Sequence, residues 1–159
     1  MSLKSGRIKH RVSPDPMELA FREAEAAADR GEVPVGAVIT GSGGAIISSA
    51  GNRTIELSDP TAHAELLAIR KACAVLQSAR LVDCDLYVTL EPCGMCATAI
   101  SFARLRRVYF GALDAKMGAV ESGPRLFNGP SCHHAPEVYG GIGEARARAL
   151  LVEFFKDRR

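Results

Sequence analysis

The run Leu86-Tyr87-Val88-Thr89-Leu90-Glu91-Pro92-Cys93-Gly94-Met95-Cys96 carries a strand, its stop and the start of a helix. Leu86 to Leu90 is rich in β-forming and apolar side chains and predicts a short strand. Glu91-Pro92 ends it, since proline cannot donate to a sheet ladder, and a helix is expected from near Cys93 to about Ala103. Arg107 to Gly111 predicts the next strand. Strand, helix and strand over so short a span predict a right-handed parallel crossover, so the sheet is at least partly parallel.

Upstream, Asp15-Pro16-Met17-Glu18 reads as a helix start, with Asp15 as N-cap, Pro16 at the first helical position and Glu18 in the capping-box position. Gly31 ends that helix. Val35 to Thr40 and Ala45 to Ser49 are β-type runs, and Gly41-Ser42-Gly43-Gly44 joins them as a hairpin. No helix start follows those glycines, so a turn is expected there and not a phosphate loop. Asp59-Pro60-Thr61 signals a second helix, continued by Leu66, Leu67, Ile69, Ala72, Cys73 and Leu76, with His63 and Glu65 in its first turn. Residues 117–136 read as loop with a short helix, and Glu144 to Phe155 as a terminal helix. There is no internal repeat.

At 159 residues the chain is expected to form one domain over residues 16–159, burying roughly 68–70% of the surface its unfolded form exposes. Five cysteines, an odd number, fit a reducing compartment better than a disulfide framework. No apolar run is long enough for a membrane span and no signal peptide is visible, so a cytoplasmic protein is expected. The net charge of +2 does not by itself argue for nucleic acid. Its placement is uneven: Lys4, Arg7, Lys9 and Arg11 make residues 1–15 a basic arm, expected to be flexible. Lys156, Arg158 and Arg159 gather at the other end, where cations also oppose a helix dipole.

The chemistry lies in two short runs, Pro60-Thr61-Ala62-His63-Ala64-Glu65 and Pro92-Cys93-Gly94-Met95-Cys96. One imidazole and two thiolates supply three zinc ligands, and a fourth position left to water makes such a site catalytic. Glu65 then has a water to act on. Residues two apart do not face each other on a helix, so Glu65 is better placed to move that water's protons than to share the metal with His63. Cys93 and Cys96, three apart at a helix start, lie on one face, where the helix's positive end favours thiolate. A structural zinc would need a fourth ligand, and Cys73, Cys84, Cys132, His10, His133 and His134 do not repeat the spacing. A thioredoxin-like pair would have no use for His63 and Glu65. Cys73 and Cys84 read as small hydrophobes, and Cys132-His133-His134 as packing and hydrogen-bonding residues near the site.

The His-x-Glu and Pro-Cys-x-x-Cys runs resemble the signature of zinc deaminases. With Glu32-Val33-Pro34-Val35-Gly36-Ala37-Val38, Gly51-Asn52, Asp59 to Glu65, Leu86 to Cys93 and Gly111-Ala112-Leu113-Asp114-Ala115-Lys116, the chain from about Met17 onward resembles the bacterial tRNA-specific adenosine deaminases. That resemblance implies a three-layer α/β/α cytidine-deaminase-like fold, with a central mixed sheet of about five strands flanked by helices. It also implies one Zn2+ per chain on His63, Cys93 and Cys96, Glu65 as proton shuttle, and a homodimer. The implied substrate is an adenosine of a tRNA anticodon loop, with Asn52 and Ala64 binding the base and Lys116 near the RNA. Arg158 and Arg159 are phosphate candidates on charge alone. Gly94 departs from the family, which often carries a larger side chain there. Two rivals are a same-fold deaminase of a free nucleobase or nucleotide, such as guanine or cytosine, and a non-catalytic zinc protein that holds RNA. Loss of the glutamate would mark the last, and Glu65 is present.

Overall fold

A computed structural model describes residues 14–158. Helix α1 (Pro16–Asp29) starts as its sequence predicts: Asp15 is the N-cap and its carboxylate accepts from the Met17 N–H at 3.1 Å. Glu18 does not close the capping box. Its carboxylate is engaged by Arg146 of the last helix instead, an ion pair available only in the folded chain.

Strands β1 (Gly36–Thr40) and β2 (Ile46–Gly51) form the expected antiparallel hairpin, and Gly43 and Gly44 take the positive φ its turn demands. Helix α2 spans Ala64–Leu76, so it begins later than Asp59-Pro60-Thr61 suggests. The Asp59 carboxylate accepts from the Thr61 N–H and hydroxyl, at 2.8 and 2.7 Å. Asp and Pro here make a turn, and the chain stays extended at His63 before the helix starts.

Strand β3 (Asp85–Leu90), helix α3 (Gly94–Phe102) and strand β4 (Arg107–Ala112) form the predicted parallel crossover. Strand β5 (Glu137–Tyr139) pairs parallel to β4 at the sheet edge, and helix α4 (Glu144–Lys156) closes the chain. The sheet order is β2-β1-β3-β4-β5, with β1 antiparallel to both its neighbours.

Alternation along the strands makes three layers. Ala37, Ile39, Leu86, Val88, Val108 and Phe110 face α2 and α3, meeting Ala68, Ile69, Ala97 and Ile100 in one core. Val38, Tyr87 and Tyr109 point the other way, onto Met17, Ala20 and Phe21 of α1 and Ala147 of α4. The sheet is buried on both sides, as parallel crossovers require. Glycine sets how close α1 lies: a Cβ on Gly36 would stand 1.8 Å from the Ala20 carbonyl oxygen, and one on Gly51 2.7 Å from that of Glu23.

Candidate metal and catalytic site

Two helix starts meet at one end of the sheet. His63 is the N-cap of α2 and Cys93 the N-cap of α3, both in extended backbone, and Cys96 follows in the first turn of α3. His63 Nδ1 lies 3.6 Å from the sulfurs of both Cys93 and Cys96. The donor atoms of the three residues all lie within 4.8 Å of one another, and no other such group occurs among the described residues. A tetrahedral zinc with ordinary Zn–N and Zn–S bonds separates those donors by about 3.5 Å, so the cluster fits that ion. The N-terminal dipoles of both helices add positive potential where thiolates are needed.

Protons reflect the crowding. The bond with Cys96, together with His63, lowers the Cys93 thiol to about 4. Cys96 moves up, by that same bond and by burial. His63 is raised mainly by its contact with Cys93.

Glu65 sits on α2 with only 4% of its surface exposed. Burial raises its carboxyl above the usual range, and its Oε2 lies 3.5 Å from Cys96 Sγ. A carboxyl whose neutral form is favoured by burial is suited to taking up and returning a proton. His63, Glu65 and Cys93 line a cavity of about 220 Å3, with Asn52, Asp114 and Met117 among its other walls. Asn52 Oδ1 accepts from the Ala64 N–H at 2.8 Å, which turns the amide's Nδ2 donors away from that bond. Ala64 is fully buried, its N–H is spent on Asn52, and it is not part of the cavity wall.

The basic candidates differ in placement. Lys116 is exposed, between the cavity residues Asp114 and Met117. Arg158 stacks its guanidinium 3.8 Å above the Phe154 ring and donates to the Phe154 carbonyl oxygen, so it is tied to its own helix end. Arg159, Lys4, Arg7, Lys9 and Arg11 lie outside the described residues. His134 bonds the Leu105 carbonyl oxygen, and the Cys132 thiol donates to the His134 carbonyl oxygen, as expected of packing residues. At Gly94 a Cβ would meet only Leu126, at 3.8 Å, and Gly94 is not among the residues that line the cavity.

Sequence reasoning missed two buried carboxylates, Glu32 and Glu91, 1% and 2% exposed. Glu32 accepts from the Ile55 and Glu56 N–H groups and the Thr54 hydroxyl, folding the loop that follows Asn52. Glu91 does the same for the loop after β4. A glutamate bordering an apolar run with proline one or two residues on, in Glu32-Val33-Pro34-Val35 and Leu90-Glu91-Pro92, was the available signal: such a charge survives burial only with several donors.

The cytidine and deoxycytidylate deaminase zinc-binding region matches residues 13–112. The tRNA-specific adenosine deaminase of Agrobacterium fabrum (strain C58 / ATCC 33970) is 57% identical over 143 residues, 90% of this chain and 93% of the relative. A solved structure described in studies of A-to-I editing by tRNA:A34 deaminases at the wobble position superposes with a TM-score of 0.84. It is 58% identical and covers 86% of this chain and 98% of its own. The guanine deaminase of Bacillus subtilis is more distant, 32% identical with a TM-score of 0.60, covering 91% of this chain and 95% of its own. Match and geometry fall on the same residues: this chain is a zinc-dependent deaminase of the cytidine and deoxycytidylate deaminase family.

Proposed function

We propose that the protein converts adenosine to inosine at the wobble position of a tRNA anticodon loop by hydrolytic deamination. The observation that carries the reading is Glu65, buried beside the His63, Cys93 and Cys96 donors and lining one cavity with His63 and Cys93. When bound there, zinc supplies a Lewis acid that makes water a competent nucleophile near neutral pH. Glu65 accepts the proton of the attacking water and returns it to the departing amine, so adenosine and water give inosine and ammonia. Asn52, its Oδ1 fixed by Ala64, directs Nδ2 at the ring edge of the base. The cavity, at about 220 Å3, is below the range for drug-sized ligands and suits one base turned out of a loop. Single-stranded loops present such a base at least cost.

Identity supports RNA over a free base: the relatives named for tRNA stand at 39–58%, against 32% for the guanine deaminase. Lys116, Arg158 and Arg159 are assigned to phosphate contacts. A homodimer is part of the reading, supported by Phe102, 76% exposed, at a largely apolar hollow of about 450 Å3 between α3 and residues 124–132. A cytoplasmic location fits five free cysteines, and no described helix is long and apolar enough to cross a membrane. Incubating bulk tRNA, free adenosine, guanine and cytosine with the protein in parallel tests the assignment. Inosine in tRNA alone is the expected result, and turnover of a free base with none in tRNA would transfer the assignment to the small-molecule rival.

A further inference from the structure

Glu91 follows β3 two residues before the metal-type donor Cys93 and lines the same cavity, with its carboxylate bonded into the loop after β4. Its Oε1 accepts from the Asp114 N–H at 3.0 Å and the Ser122 hydroxyl at 2.7 Å. Its Oε2 accepts from the N–H groups of Val120, Glu121 and Ser122, at 3.1, 2.9 and 2.8 Å. The loop is also stitched to the start of α3 by its backbone: Ala119 donates to the Pro92 carbonyl oxygen at 3.0 Å, and Cys93 and Gly118 form an isolated antiparallel bridge. Gly118 is where the carboxylate needs room, since a Cβ there would stand 2.5 Å from Glu91 Oε1. The same loop presents Asp114 and Met117 to the cavity.

We propose that Glu91 is a positioning residue, whose buried carboxylate fixes the Asp114–Met117 wall of the cavity against the Cys93 end of α3. The inference rests on the reading that substrate enters this cavity. Charge-assisted bonds to main-chain N–H groups are strong and directional, and these tie both ends of the loop, Asp114 and Val120 to Ser122, to one carboxylate. Five donors on one carboxylate give the wall a single conformation. Glu91 lines the cavity too, but both its carboxylate oxygens are taken up by the loop and bond neither the donor cluster nor Glu65 among the described residues, so its effect reaches substrate through wall geometry.

The test is Glu91→Gln. The amide oxygen of Gln can keep the bonds to Val120, Glu121 and Ser122, but its NH2 must then face the Asp114 N–H, donor against donor. Three readouts are taken on zinc-loaded protein: metal content, hydrogen exchange, and steady-state kinetics on an anticodon stem-loop. The expected result is one zinc per chain and unchanged protection at the Ala97 and Ile100 amides of α3. Exchange at Asp114 should speed up roughly tenfold or more, and KM should rise by a similar factor with kcat within about twofold. Unchanged exchange at Asp114, or an unchanged KM, would overturn the proposal, as would joint loss of zinc and α3 protection, which marks a merely structural role. If Glu91→Gln does not fold, Ser122→Ala removes one of the five bonds and carries the test: a smaller KM increase supports the clamp and none refutes it. Wild-type protein that deaminates no stem-loop would sink the proposed function, and the Asp114 exchange rate would then decide the clamp alone.

Discussion

Glu65 and the three metal-type donors differ in what their loss removes. Glu65→Ala takes away a proton carrier and no ligand, so zinc content and folding should persist while turnover falls by roughly 10²–10⁴-fold. Metal analysis beside the rate measurement checks this, and zinc lost from the variant would assign Glu65 to the metal. Protons compete with the metal at the other three. His63 is raised by Cys93, and the proton on Cys96 is held by Cys93; both must leave before these atoms can ligate. Groups with raised values keep their protons to higher pH, so apparent zinc affinity should weaken steadily from pH 8 to pH 5. Titration against a chromophoric chelator measures it, and an affinity indifferent to pH would contradict the assignment of these ligands.

At the scale of elements, glycine decides how tightly α1 lies on the hairpin. Gly36→Ala would drive a methyl into the main chain at Ala20 and Ala24, and helix and sheet can relieve that only by separating. A loss of about 1–3 kcal/mol is expected, read as a lower urea midpoint with an unchanged slope; an unaltered midpoint would show that α1 is loosely seated. The elements legible in the sequence were those with strong local signals. Asp15-Pro16 placed α1, the glycines at 41–44 placed the hairpin, and the run from Leu86 placed β3, α3 and β4. Two features were not legible. β5 is three residues at an edge, too short for its alternation to stand out, and it exists because β4 offers a free parallel edge. The start of α2 was misplaced because Asp-Pro-Thr serves turns and helices alike, and only the Thr61 bonds to Asp59 choose between them. At the site, paired motifs revealed the donors and Glu65. The clamps at Glu32 and Glu91 were hidden because their partners are main-chain N–H groups, which carry no residue identity.

Across the whole molecule, the mixed sheet brings the starts of α2 and α3 to one end and puts Lys116 on the loop beside them. If RNA is gripped there, Lys116→Ala should reduce the slope of log affinity against log salt by about 0.7, one single-strand phosphate. Arg158, seated on Phe154, should contribute less. Binding by fluorescence anisotropy over a salt series measures both, and an unchanged slope for Lys116→Ala would place the phosphates elsewhere. The central claim is that water, activated between the metal-type donors and Glu65, replaces the amine of an anticodon-loop adenosine. Its most direct test is to incubate tRNA with zinc-loaded protein in heavy-oxygen water, digest the RNA to nucleosides and weigh them. The account predicts inosine carrying one heavy oxygen with the wild-type chain and almost none with Glu65→Ala. Unchanged adenosine in the tRNA, or inosine formed equally well by Glu65→Ala, would contradict it.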